Sequence, residues 1–444
     1  MKRKITILFL LTALTLGGCA EKNSSVETEE RVITISDNLE DSNGYIYSVK
    51  ARGEKIYAVI EKYTGTERNL VLPDTLGGYP VTTISSAFEE NQNLESVTIP
   101  ETVEYIWTHA FSDCSNLSEV SIADSTIITS AYSFNGTPWL ENMKAENPLV
   151  IVNNMLIDGS GAEGDIKIPA GVTYIAQHAF NENSDITSVA VPDGVYEIAS
   201  CAFTECNSME NIDLPESLTK LGSSAFFKCS SLKSIRLPEN LATIEYNTFS
   251  GCTSLTDIVI PSGVRSIEGD AFKYTPWLQM KIAENPYVII NNILIDGSAV
   301  KGEVVIPQGV RIIGSDAFEL NTEITKVTIP DSVEIIDLSA FSRSGITEVV
   351  IPDSVVSIKM LSFDKCDNLK KITLSKNLKE VGEWAFEENY NLTEITIPDS
   401  VDIELFHTAF DCSGIYGEPP ELIAHYKGNK YIYDSEISNF VIVE

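Results

Sequence analysis

Positive charge is scarce in this chain. Its 444 residues carry 31 Lys and Arg against 64 Asp and Glu, a formal charge of −33. So acidic a surface repels nucleic acid, heparin-like polyanions and anionic membrane faces, and none of these is expected as a partner. It leaves open a merely solvated surface, a cationic partner, or cation-dependent adhesion. Histidine is scarcer still: His109, His178, His407 and His425 are dispersed, without the grouping that a general base or metal site needs. Neither Gly222-Ser223-Ser224-Ala225 nor Asp158-Gly159-Ser160-Gly161 has the strand-to-helix setting of a nucleophile or phosphate loop. No enzyme, metal or cofactor is expected. Long apolar runs are also missing. The most apolar stretch, Ile5 to Leu16, has about twelve residues, too few for the roughly 20 that span a bilayer.

What the chain has in abundance is repetition. Phe88, Phe111, Phe134, Phe180, Phe203, Phe226, Phe249, Phe272, Phe318, Phe341, Phe363, Phe386 and Phe410 recur at a 23-residue period, with steps of 46 at two places. Phe88 to Phe410 is 322 residues, fourteen periods. Counting one Phe-less coil in each long step, the array has about fifteen coils. Within a coil, Met209, Ile212 and Leu214 end in the alternation of a short strand, which Pro215 stops. Leu218 and Leu221 mark a second extended segment, and Ala225-Phe226 turn the chain into the next coil. A fixed period in this range with Leu, Val and Ile at set offsets predicts a β-rich leucine-rich-repeat solenoid. A single coil cannot fold: about seven buried apolar groups at roughly 2 kcal/mol each do not outweigh ordering 23 residues at about 1–2 kcal/mol apiece. Stability therefore resides between neighbours, and the ends need caps.

The pattern AFxxCxxLxxIxIPxxVxxIxxxAF, read from Ala202-Phe203 to Ala225-Phe226, resembles the BspA-like (Treponema pallidum type) leucine-rich repeats of bacterial surface proteins. The resemblance covers about Asn69 to Cys412. It implies an exported, surface-attached protein, and adhesion, since several members are described as adhesins.

In chain order, Met1 to Lys4 is basic, the apolar run follows, and Leu16-Gly17-Gly18-Cys19 closes it. This is a signal peptide over residues 1–18. LGGC resembles a lipoprotein signal box, with Cys19 as the lipid attachment site; the alternative is a plain cleaved signal with an incidental Cys. Residues 19–43 are acidic and read as a tether. Residues 44–68 read as an N-terminal β cap, with a hairpin around Arg52-Gly53-Glu54. Residues 69–412 form the solenoid, and 413–444 a C-terminal cap with a hairpin turning at Gly428-Asn429. The lipid is the only expected membrane contact, at the cell surface, and the protein is expected to be a monomer.

The Phe-less coils repeat each other. TPWLENMKAENPLVIVNNMLIDG at Thr137 to Gly159 returns as TPWLQMKIAENPYVIINNILIDG at Thr275 to Gly297, 138 residues or six periods later. Each predicts a tight hairpin at its Asn pair, Asn153-Asn154 and Asn291-Asn292. The variant coils, near 137–161 and 275–298, read either as packed coils that keep register or as a ligand platform.

Cys114, Cys206, Cys229, Cys252 and Cys366 all lie three residues after the repeat Phe, where other coils have Asn, Thr or Ser. All are small donors, strong or weak, and predict a buried ladder satisfying turn carbonyls. A disulfide among Cys206, Cys229 and Cys252 is the alternative, since neighbouring coils lie within bridging range. If Ile212 and Leu214 point inward, the strand flanks point out. That exposes Asp213, Arg236, Asp257, Lys326, Glu348 and Lys371 on one long surface, the candidate binding face for an extracellular protein or glycan. The competing function is a structural spacer or scaffold that binds a protein of the same cell.

Overall fold

In the computed structural model, which describes residues 32–402, 406–410, 422–434 and 439–443, each 23-residue period is one turn of a coil with two short strands. Asn211–Asp213 is the first strand of one coil, with Ile212 buried between exposed Asn211 and Asp213. Pro215 lacks an amide for a ladder, and the chain turns there, Leu218 N donating to Pro215 O at 3.1 Å. Lys220–Leu221 is the second strand. Stacked coils pair these strands in parallel, Ser188↔Asn211 in one ladder and Glu197↔Lys220 in the other. Fourteen strands stand in the second ladder, from Tyr79–Ile84 to Glu380–Val381. The expected solenoid is thus the fold, at about fourteen turns.

The corner after the second strand explains the Ala-Phe signature. Ser224 and Lys228 bracket Ala225-Phe226 with φ of 58° and 56°, a left-handed conformation that costs a non-glycine residue roughly 1–2 kcal/mol. The twist turns their amides toward the next coil: Ser224 N donates to Tyr246 O and Lys228 N to Ser250 O, both at 2.8 Å. Between them Phe226 points inward and stacks on Phe203 and Phe249 at 5.5 and 5.6 Å.

The rings form three columns, not one. Phe88, Phe111 and Phe134 stack in series and end on Trp139, tilted at 4.6 Å. Phe180 to Phe272 form the second column, which ends on Trp277 at 4.7 Å. The third begins at Phe318 and reaches Phe410. The buried apolar side chains divide at the same places, into clusters that meet near Leu156 and near Ile293-Leu294.

Those places are the variant coils. The hairpins form as expected: Val150–Val152 pairs antiparallel with Met155–Asp158, and Val288–Ile290 with Ile293–Asp296. Their turn residues Asn153, Asn154, Asn291 and Asn292 all have positive φ. The second strand of each hairpin joins the second ladder, Met155↔Tyr174 and Ile293↔Ile312, so register is kept. The sequence reading misses a helix in each coil, α1 (Pro138–Glu146) and α2 (Pro276–Glu284). Thr137 and Thr275 cap them, accepting from Leu140 N and Leu278 N at 3.2 Å, and Pro occupies N1, where no intrahelical amide is needed.

The caps extend further than expected. Val32–Glu40, which the sequence reading places in the tether, is a strand antiparallel to Tyr45–Arg52. Alternation around Ile33, Ile35 and Leu39 carries that strand. The hairpin at Gly53-Glu54 joins Tyr45–Arg52 to Lys55–Tyr63, and Gly77-Gly78, with φ of 59° and 86°, turns Thr75–Leu76 back onto Tyr79–Ile84. At the C-terminus the turn falls at Lys427-Gly428, one residue earlier than expected, and a further strand, Asn439–Val443, follows. Residues 1–31, with the signal and Cys19, lie outside the described residues.

Candidate binding face

The six flank residues are where the strand alternation puts them. In Asn211–Asp213, Ser234–Arg236, Asp257–Val259, Glu348–Val350 and Lys371–Thr373 the central residue is buried and both flanks are exposed. Lys326 is likewise exposed in Ile324–Thr328. They do not form one long surface. The first ladder is interrupted after Glu119–Ser121, Asn211–Asp213, Asp257–Val259 and Lys371–Thr373; at the first and third of these breaks it skips a coil and resumes at Gly164–Lys167 and Gly302–Val305. Helices α1 and α2 stand in the skipped coils, with Trp139 N bonded to Leu117 O and Trp277 N to Leu255 O. Asp213, Arg236 and Asp257 therefore lie between the two helices, Asp213 on a separate run of strands from the other two, and Lys326, Glu348 and Lys371 lie beyond α2.

Charge differs between the two groups. Lys326, Glu348 and Lys371 are direct neighbours across the ladder, and Lys326 Nζ lies 3.2 Å from Glu348 Oε1. Exposed pairs of this kind contribute roughly 0–1 kcal/mol, but they neutralise the face locally. Arg236 leans on Glu239 at 3.7 Å. Asp257 has no ion-pair partner among the described residues.

Beneath the face the cysteine column is the predicted ladder. The Sγ of Cys114, Cys206, Cys229, Cys252 and Cys366 donates to the carbonyl of Phe88, Phe180, Phe203, Phe226 and Phe341 respectively, at 2.9–3.1 Å. All five are free thiols, so the disulfide alternative among Cys206, Cys229 and Cys252 does not form. Burial pushes the Cys252 and Cys366 thiols up to about 12 and Cys114 to about 11, which holds them protonated as donors. Asn183 and Asn321 play the same part, each bonding two carbonyls of the preceding variant coil within 3.0 Å. Thr137 and Thr275 also donate to a turn carbonyl, that of Phe134 and Phe272 in their own coil, at 2.7 Å, while accepting from the helix amides.

Of the histidines, His109 is exposed, but His178 is half-buried, held down to about 4 by burial and by His109. Tyr132 stacks between them at 5.8 and 4.5 Å. No group of three or more His, Cys, Asp or Glu among the described residues is placed to hold a metal. No helix among them is long and apolar enough to cross a membrane.

The profile of the BspA type leucine rich repeat region matches residues 82–187, 173–301 and 295–414. The chain belongs to that family. BspA-type repeats thus account for the whole solenoid body. Among solved structures, a leucine-rich repeat protein from Bacteroides ovatus is 22% identical, over 84% of this chain and 98% of its own, with a TM-score of 0.34. A leucine rich cell surface protein from Faecalibacterium prausnitzii is also 22% identical, over 84% and 85%, at 0.30. The T. pallidum leucine rich repeat protein is 21% identical, over 56% of this chain and 95% of its own, at 0.24. No curated protein matches the chain.

Proposed function

We propose that this BspA-type protein is exported, lipid-anchored through Cys19 at the bacterial cell surface, and binds an extracellular protein or glycan without catalysing a reaction. The observation that carries this reading is the set of exposed strand flanks, held in register along each run of paired strands. Mixed charge and hydroxyl groups at one spacing suit an extended partner. The basic n-region, the short apolar run and LGGC support export and lipidation. Two or more acyl chains give stable anchoring, at about 0.8 kcal/mol per buried CH₂.

The test is binding of residues 21–444 to an array of matrix proteins, mucins and glycans, with and without calcium. A saturable hit weakened by Arg236→Glu or Lys371→Glu supports the reading. Silence on the array, with an envelope protein of the same cell recovered instead, replaces it with the scaffold reading. Lipidation is tested separately: a radiolabelled fatty acid should enter the native protein and not Cys19→Ala.

A further inference from the structure

The break in the first ladder at α2 leaves a strand edge open. Asp257–Val259 pairs with Ser234–Arg236 on one side and with no strand on the other among the described residues. In several coils the amide just past the first strand donates forward, as Leu237 N does to Val259 O at 3.0 Å and Ile351 N to Thr373 O at 2.8 Å. The corresponding amide of Ile260 meets no acceptor among the described residues. Beside this edge lies a groove of about 500 Å³ between the strand, α2 and the hairpin strand Val288–Ile290. That volume is in the range of ligand sites, roughly 300–1,000 Å³.

The groove has an apolar side and an acidic rim. Trp277, Met280, Ile289 and Ile290 line it, with Met280 44% exposed. Asp257, Lys281 and Glu284 stand on the rim; Glu284 pairs with Lys281 at 2.9 Å, and Asp257 with no cation among the described residues. An occupant must therefore offer backbone acceptors at strand spacing, an apolar side chain and positive charge, and the chain's formal charge of −33 favours that sign at long range.

We propose that this groove takes an extended cationic peptide segment of a partner protein, which adds as a strand to the Asp257–Val259 edge and seats one apolar side chain against Trp277 and Met280. Strand addition draws affinity from main-chain hydrogen bonds and specificity from alternate side chains. The inference deepens the binding reading above and rests on it.

The probe is a fluorescein-labelled octapeptide of alternating lysine and valine, titrated with residues 21–444 and followed by anisotropy. Its controls are the same peptide N-methylated at alternate residues, which cannot pair as a strand, and a glutamate–valine analogue. The lysine–valine peptide should bind saturably, and both controls at least about tenfold more weakly. Asp257→Lys and Met280→Lys, both at exposed positions that spare the core, should each weaken it by about tenfold, while Lys62→Glu, exposed in the N-terminal cap, leaves it unchanged. Equal binding of the N-methylated peptide overturns strand addition, and insensitivity to Asp257→Lys and Met280→Lys overturns the location. A chain that binds the array through Arg236 and Lys371 yet ignores the peptide loses this inference alone. Peptide binding with a silent array keeps it and removes the strand-face reading.

Discussion

Substituting Gly159 by Ala tests whether the ring columns must restart on a bare backbone. A Cβ at Gly159 would stand 2.2 Å from Cε1 of Phe180, well inside contact distance. Neither side can yield easily. Gly159 N donates to Ala179 O at 2.7 Å, and Gly159 O accepts from Asn183 Nδ2 at 3.0 Å; the Phe180 ring is fully buried and stacked on Phe203 at 4.8 Å. Overpacking of this kind costs about 1–3 kcal/mol. The reduced freedom of the unfolded Ala chain offsets about 0.4–1 kcal/mol. The expected net loss is therefore about 1–2 kcal/mol. Because solenoids unfold in blocks, the assay is urea denaturation read by circular dichroism together with hydrogen exchange, which should show the block after Gly159 opening first. Gly297→Ala should repeat the effect one block later, since its Cβ would meet Phe318 Cε1 at the same 2.2 Å. In the double variant Gly159→Ala/Phe180→Leu, the smaller side chain makes room, and the two costs should sum to less than their separate values. Full additivity, or no loss in either single variant, would refute the packing argument.

Four further outcomes are expected. Cys229→Val leaves Phe203 O without the donor now at 3.0 Å and should cost about 1–3 kcal/mol, whereas Cys229→Ser keeps a donor and should cost less; both are read by urea midpoints. The five column thiols, buried and free, should stay silent to Ellman's reagent until the chain unfolds. Burial beside Glu319 and Asp270 pushes Asp316 up to about 7, so the folded chain holds this proton where the unfolded chain has lost it. The stability it confers is full below about pH 4 and lost as pH rises through about 7. Asp316→Asn should accordingly match the native chain at pH 4 and exceed it at pH 8, in paired thermal melts. Thr275→Ala removes the α2 cap and the donor to Phe272 O at 2.7 Å; a loss of about 0.5–2 kcal/mol, with faster amide exchange in α2, is the result to look for.

The coil was legible because its signal is repeated: one inward Ile or Val per strand, Pro at its end and Ala-Phe at the corner fix both ladders. The cysteine ladder was legible for the same reason, since a column shared by Cys, Asn, Thr and Ser has donors as its common chemistry. The helices were not. Thr137-Pro138 and Thr275-Pro276 carry a start signal for a helix, but the preserved 46-residue spacing argues equally for an ordinary coil, and a nine-residue helix spans too few turns for its period to stand out. The strand at Val32–Glu40 was obscured by its acidic surroundings. Its flanks are largely exposed, so cross-strand pairing with Tyr45–Arg52, which is not a local property, decides it.

The variant coils separate two requirements that an unbroken repeat would fuse. The second ladder restarts inside them, because Met155–Asp158 and Ile293–Asp296 pair forward with Tyr174–Ile175 and Ile312–Ile313, and the Trp-capped columns keep the core closed at each junction. The first ladder resumes only after α1 and α2, at Gly164–Lys167 and Gly302–Val305. The variant coils thus supply a strand to the second ladder and none to the first, which segments the exposed face. Within a run of strands, opposite charges can pair across neighbours, as Lys326 does with Glu348, and the amide past a strand can donate to the next coil, as Leu237 N does to Val259 O. Beside α2 neither happens: the Ile260 amide has no acceptor among the described residues and the Asp257 carboxylate no cation. An unmet donor and an uncompensated charge, which a ligand can satisfy, thus lie together at one groove, and the irregular coil is where this chain is best suited to discriminate between partners.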